Sequence, residues 1–307
     1  MIGQDWELNH VGLMVTDRNA VLRHFQAAGL GVSVGPQPLL PHEPGEGSLT
    51  FYRTLEGDPV TNTYQTGGAH HFTDGNSQIG DCQLECYPMR VGPGMIMSEY
   101  LAKYGPGINH ICFNAPAVEE DTTFLVSKGC ALTFNALVNG RTVENYLDTR
   151  TQGNVMISLR PPASEWEIAW KANNHKHPLV NDWHFCGLGV VVTNLEEAVA
   201  YYRTLGFEPC SGITLDQQLG VRRQSVAIGT ITFEFNEPTT DQSIYAESMS
   251  VRGPGVADLI FEVTDLGSES TRLLERGIKL FGRGADGNSA YFDTRAQGNI
   301  LVRLTTN

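Results

Sequence analysis

Apolar and polar positions along the chain switch repeatedly between two periods. LNHVGLMV, from Leu8, alternates as a strand does; AVLRHFQAAG, from Ala20, then spaces its apolar residues as a helix does, up to Gly29. The same change recurs where GINHICFNA, from Gly107, gives way to EEDTTFLVSKG, ending at Gly129. It recurs again where GLGVVVTN, from Gly187, leads into LEEAVAYYRTLG, ending at Gly206, and where ADLIFEV, from Ala257, leads into GSESTRLLERG, ending at Gly277. Each predicted helix closes on a glycine suited to a left-handed cap. Short β-rich stretches follow each one. A strand–helix–strands unit is therefore written four times, and the expected fold class is α+β, with curved, antiparallel-leaning sheets.

The four units group in pairs, because longer segments repeat in order. YLDTRTQGNVMISL at 146–159 returns as YFDTRAQGNILVRL at 291–304. GPGINHICF at 105–113 returns as GPGVADLIF at 253–261, and HVGLMVTD at 10–17 as GLGVVVTN at 187–194. Two homologous modules are expected, over residues 5–160 and 183–307. Pro161-Pro162 halts the last strand of the first, and a Trp-rich, partly helical linker is expected over 161–182.

Charge and cysteine usage narrow the function classes. A net charge of −13 and a pI near 5.1 argue against nucleic acid and anionic membrane as partners. No apolar run approaches the roughly 20 residues that span a bilayer, and the start does not read as a signal peptide. A cytoplasmic monomer or homodimer acting on a small molecule is the expectation. Cysteines 82, 86, 112, 130, 186 and 210 lie mostly in apolar runs and read as buried free thiols. Cys82 and Cys86 have no matching second pair of the kind a zinc site needs.

The His-bearing strand LNHVGLMVTD, the GPGINHICF segment and the YxDTRxQGN run resemble the vicinal oxygen chelate superfamily. The resemblance covers nearly the whole chain. It implies four βαβββ units forming two cup-shaped modules, and in each cup a ligand from the first and last strand of each unit. Carried over position by position, it points to His10, Glu85 and His110 as metal ligands in the first module, with Ser158 where a fourth, carboxylate ligand usually stands. The implied cofactor is one divalent metal ion: Zn, Fe, Co, Ni or Mn. Imidazole and carboxylate suit all of them. Glu85 stands three residues before Pro88, whereas Glu234 stands four before Pro238. That mismatch calls for a bulge, with Gln83 on the same face as the alternative ligand.

In the second module the corresponding positions are Gly187, Glu234, Asp258 and Arg303, so a metal-free, salt-bridged cup is expected. Residues 54–81 read as a long polar insertion overhanging the first cup, which makes His70 and His71 candidate catalytic residues. His175, His177 and His184 read as surface or interface residues. Arg150 and Arg295 recur in both modules, as do Tyr146 and Tyr291, which favours structural roles, the arginines paired with Asp148 and Asp293. Because the intact ligand set lies in the first module, the resemblance implies an enolising epimerase or isomerase acting on a small polar ketone such as a keto-cyclitol. A non-haem Fe(II) ring-cleaving dioxygenase and a non-catalytic binding or resistance protein are the alternatives. The pairing of the four units is left open by the sequence, and a swapped pairing would break the proposed triad.

Overall fold

The computed structural model describes residues 2–33, 42–51, 60–68, 76–88, 96–162 and 180–306. Among them the chain forms two mixed sheets and six helices. The first unit opens with β1 (Glu7–Val15) and α1 (Arg18–Ala27), and then β2 (Val32–Ser33), β5 (Asn76–Ile79) and β6 (Cys82–Pro88) complete it. Between β2 and β5 run β3 (His42–Phe51) and β4 (Val60–Gly68). After α2 (Ile96–Tyr104), the second unit is β7 (Gly107–Asn114), α3 (Val118–Ser127), β8 (Leu132–Val138), β9 (Arg141–Leu147) and β10 (Met156–Arg160). The third is β11 (His184–Val191), α4 (Leu195–Thr204), β12 (Thr214–Asp216), β13 (Val221–Ile228) and β14 (Ile231–Pro238). After α5 (Ala246–Arg252), the fourth is β15 (Gly255–Glu262), α6 (Leu266–Glu275), β16 (Lys279–Arg283), β17 (Ser289–Asp293) and β18 (Leu301–Thr305).

Sheet order settles the pairing. The first sheet runs β2-β5-β6-β1-β7-β10-β9-β8-β3-β4 and the second β12-β13-β14-β11-β15-β18-β17-β16. Units one and two join through antiparallel β1 and β7, and units three and four through antiparallel β11 and β15. His10, Glu85 and His110 therefore belong to one sheet.

The insertion differs from the sequence expectation. Within 54–81, residues 60–68 and 76–79 are strands, not an open loop. Strand β4 pairs with β3, and β3 pairs with β8, so the hairpin extends the far edge of the sheet through unit two. Val60, Thr61, Thr63, Tyr64 and Thr66 are β-prone types, and strand pairing satisfies backbone groups that a loop would leave to water. His70 and His71 lie outside the described residues. So do 163–179, which hold most of the Trp-rich linker with His175 and His177.

Asp17, Asn194 and Asp265 cap α1, α4 and α6, each side chain accepting a backbone N–H three residues on. The glycines closing the four unit helices, 29, 129, 206 and 277, all have positive φ. In the repeated DTRxQGN segment, Arg150 grips Asp148 through two bonds of 2.8 Å, and Arg295 grips Asp293 at 2.8 and 2.9 Å. Thr149 and Thr294 donate to the carbonyls of Val155 and Ile300. The repeat thus builds the turn that returns the chain into β10 and β18.

One face of each sheet joins a core shared by both modules. Val11, Leu13 and Val15 enter it, while Met14 packs in a separate cluster inside the first cup with Phe134, Tyr146 and Met156. That division is the strand alternation expected for β1. Four of the six cysteines are buried, Cys186 is half-buried and Cys210 is exposed; all are free thiols.

Candidate metal centre

Two β-bulges aim the histidines. Along β1, Leu8 faces Phe113 and His10 faces Cys112, so Asn9 is an extra residue. Along β7, His110 faces Gly12 and Ile108 faces Leu13, so Asn109 is extra as well. A bulge turns a strand locally and re-aims the neighbouring side chain. Here each bulge residue immediately precedes a histidine. Gly12 provides the remaining space: a methyl group built on it would lie 1.9 Å from Cε1 of His110.

The three expected ligands converge. His10 Nε2 lies 2.9 Å from Glu85 Oε2 and 3.2 Å from His110 Nε2. Both histidines are buried, and the Glu85 side chain is 18% exposed, which leaves the cup open on its side. Asn9 Oδ1 lies 2.7 Å from His10 Nδ1, and Asn109 Oδ1 lies 2.6 Å from His110 Nδ1. An amide oxygen only accepts, so each Nδ1 carries the proton and donates it. Each Nε2 is then left with its lone pair facing the same point. Asn114 Oδ1 in turn accepts from the Asn9 amide at 3.0 Å and holds its orientation.

Electrostatics show what this arrangement favours. Burial opposes charge on His10, but the Glu85 carboxylate outweighs it and raises the His10 pKa. Burial alone would push Glu85 up; His10 outweighs that and holds it below the usual carboxylate range. His110 is pushed down to about 3, by burial and then by the neighbouring His10 charge. A single proton between Nε2 and Oε2 joins two of the three donors, and the Tyr146 hydroxyl stands 3.2 Å from the third, His110 Nε2. A divalent cation would take all three lone pairs at once. The 2.9 and 3.2 Å separations suit donors bound side by side at about 2.1 Å.

The register of Glu85 needs no bulge. Gly12 pairs with Glu85 and Gly189 with Glu234, so the two glutamates are equivalent, and the β1–β6 ladder is unbroken from Val11 to Pro88. The proline offset arises downstream of the carboxylate. Ser158 and Arg303 are likewise equivalent, facing Cys112 and Ile260.

Four neighbours escaped the sequence reading. Tyr146 has its hydroxyl 3.2 Å from His110 Nε2, and the two rings are 4.7 Å apart. Its recurrence as Tyr291 pointed only to a structural role. Asn9 and Asn109 form a repeated Asn-His pair that was legible but unread. Glu144 accepts a hydrogen bond from Ser158, and its carboxylate forms a second group with His10 and Cys112, the ligand atoms lying within 4.8 Å of one another. Burial holds the Cys112 thiol protonated, so this set offers a poorer metal site than His10, Glu85 and His110.

The second cup is filled by its own cation. Arg303 donates to Asp258 at 2.9 Å, to Glu234 at 2.7 Å and to Tyr291 at 3.1 Å, and Tyr245 donates to Asp258 at 2.5 Å. At the His10-equivalent position, a methyl group built on Gly187 would lie 1.9 Å from the Thr232 carbonyl oxygen. No larger side chain fits there without moving β14. Outside the cups, His184 pairs with Asp81 across the two modules at 2.6 Å.

No family model and no curated protein matches the sequence. Among solved structures, a variant of 4-hydroxymandelate synthase from Streptomyces coelicolor superposes with a TM-score of 0.62 at 13% identity, covering 100% of this chain and 93% of that one. Methylmalonyl-CoA epimerase from Mycobacterium tuberculosis aligns at 23% identity and TM-score 0.36, over 40% of this chain and 87% of its own. The full-length likeness to the first of these establishes the fold: four βαβββ units in two tandem modules. No helix among the described residues is long and apolar enough to cross a membrane.

Proposed function

We propose that the chain is a metal-dependent isomerase or epimerase that acts on a small polar ketone through an enolate, with His10, Glu85 and His110 as the metal ligands. One observation carries the reading: two buried Nε2 lone pairs and the Glu85 carboxylate meet at a point, with both Nδ1 protons committed to Asn9 and Asn109. A bound divalent metal would supply Lewis acidity, drawing charge from a ketone oxygen and acidifying the neighbouring C–H.

The protein's own part is to hold that centre rigid and incompletely coordinated. Three donors, with Ser158 where a fourth carboxylate would stand, leave positions for one or two substrate oxygens. A single ligand carboxylate leaves a dipositive centre with net positive charge, which favours an anionic enolate over the neutral ketone. The walls built by Phe134, Tyr146 and Met156 reduce water's competition for the developing charge. A net charge of −13 disfavours polyanionic substrates, so a polyhydroxy ketone such as a keto-cyclitol suits the cup better than an acyl-CoA.

A second reading is an Fe(II) dioxygenase. Two histidines and one carboxylate with open positions form the ligand set that non-haem iron oxygenases use. The two readings separate in one experiment, with the metal-loaded protein incubated in D2O with 2-keto-myo-inositol and dihydroxyacetone beside an O2 electrode. Deuterium incorporation without O2 consumption is the expected result. O2 consumption with a catechol supports the dioxygenase. Binding of the ketone with neither reaction supports a sequestering protein, and absence of bound metal in active protein overturns the centre.

A further inference from the structure

Resting on the metal-dependent reading of the first cup, we propose that Glu144 is the catalytic base that carries the substrate proton, and that Ser158 is its positioning residue. Glu144 lies on β9, two residues before Tyr146 and paired with Ala136, so it faces the cup that Tyr146, Ala136 and Phe134 line. On β9 the pairing shifts between Ala136–Glu144 and Leu137–Thr142, leaving Val143 as an extra residue. A third bulge thus lies beside a polar residue of the cup, as bulges lie before His10 and His110.

Ser158 is fully buried and donates its hydroxyl to Glu144 Oε1. The last-strand position that would hold a fourth ligand is therefore used to orient a carboxylate one strand further out. Glu144 is half-buried, so it faces solvent and substrate on one side. Its carboxylate lies within 4.8 Å of a ring nitrogen of His10, yet it forms a common group with neither Glu85 nor His110. That placement is beside the metal point and not part of the ligand triangle. Glu144 is thus a carboxylate of the same cup, close to one ligand and outside the ligand set. The equivalent residues in the second module are Ser289 and Arg303, which keep neither the carboxylate nor its hydroxyl partner.

The chemistry balances without a co-reactant. The Glu144 carboxylate takes the proton from the carbon next to the ketone; the C–H electron pair becomes the enolate, and Glu144 becomes the acid. The O–H of Glu144 then returns a proton to that carbon and the ketone re-forms; where that carbon bears a hydroxyl, the hydroxyl proton can pass to the enolate oxygen and Glu144 protonates the former carbonyl carbon, giving the isomeric ketone, and either way the carboxylate is restored. Exchange of the Glu144 proton with D2O between the two steps labels the product.

The test compares wild type with Glu144→Gln, Ser158→Ala and Ser158→Thr, all loaded with Co²⁺. Glu144→Gln is expected to bind one Co²⁺ with affinity within about threefold of wild type and an unchanged visible spectrum, and to lose deuterium exchange into the ketone probes by at least about 100-fold. Ser158→Ala is expected to lower exchange about tenfold at unchanged Co²⁺ affinity, with Ser158→Thr restoring it. A changed spectrum or lost Co²⁺ in Glu144→Gln makes Glu144 a ligand and overturns the proposal, as does undiminished exchange in a variant that holds its metal. Wild-type protein that binds Co²⁺ but exchanges no ketone overturns both the base and the isomerase reading; wild-type exchange that survives Glu144→Gln overturns the base alone.

Discussion

Asn9 directly precedes His10, yet its side-chain oxygen reaches back to the imidazole and holds Nδ1 at 2.7 Å. Only the bulge in β1 makes that contact available, since adjacent residues of a regular strand point to opposite faces. Asn109 repeats it at 2.6 Å from His110. These amides fix tautomer and ring orientation, so their loss should act on the metal without removing a ligand. Asn9→Ala and Asn109→Ala are expected to weaken Zn²⁺ or Co²⁺ binding by about 10- to 100-fold. Titration calorimetry measures this directly; unchanged affinity in both variants would remove the amides from the centre.

Gly12 and Gly189 offer a matched pair of substitutions. A methyl group at Gly12 meets the His110 ring at 1.9 Å, and one at Gly189 meets Asp258 Oδ1 at 2.0 Å. Both overpack a cup, at a cost of about 1–3 kcal/mol. Only Gly12→Ala is expected to reduce bound metal, because only it displaces a ligand. Gly189→Ala is expected to lower Tm while leaving one metal per chain by elemental analysis.

The repeat and the helix-closing glycines were legible because they are local: a cap needs one residue at one φ. The histidine pair was legible because two strands carry it at matching places. Glu144 was not, because its relevance depends on β9 lying next to β10, and no period along the sequence states which strands are neighbours. Strand β4, inside the stretch 54–81, was misread for a related reason. Its polar residues look like loop, and it joins the sheet only through β3, which pairs with β8 more than 80 residues away in sequence.

Glu85 and Gln83 separate by register. Glu85 pairs with Gly12, beneath the His110 ring, and its carboxylate reaches His10 at 2.9 Å. Gln83 pairs with Gln78 on β5. Glu85→Gln is therefore expected to weaken metal binding by at least about 100-fold, since it removes the anionic donor, while Gln83→Ala leaves it within about twofold. The reverse order would move the ligand to Gln83.

The second cup predicts a different loss. Arg303 is the cation that Asp258 and Glu234 share; Arg303 and Asp258 are buried, and the Glu234 side chain is 16% exposed. Arg303→Met leaves the buried Asp258 and the half-buried Glu234 without it, and removing one partner of a buried pair costs about 3–5 kcal/mol. The Glu234 contribution to the pH dependence has a definite sign. Burial raises the Glu234 pKa, but Arg303 and Arg223 outweigh it and hold the carboxyl below its ordinary 4.5. A carboxyl with a depressed folded pKa contributes stability that is fully present above its unfolded value and lost as pH falls through the folded one. Wild-type protein should thus lose this contribution below about pH 4.5, and Arg303→Met should show a smaller loss over the same interval because most of the depression is gone. Urea unfolding at pH 7, 5 and 4 compares the two. Equal stability of wild type and variant at pH 7 would mean that Arg303 does not hold the second cup together.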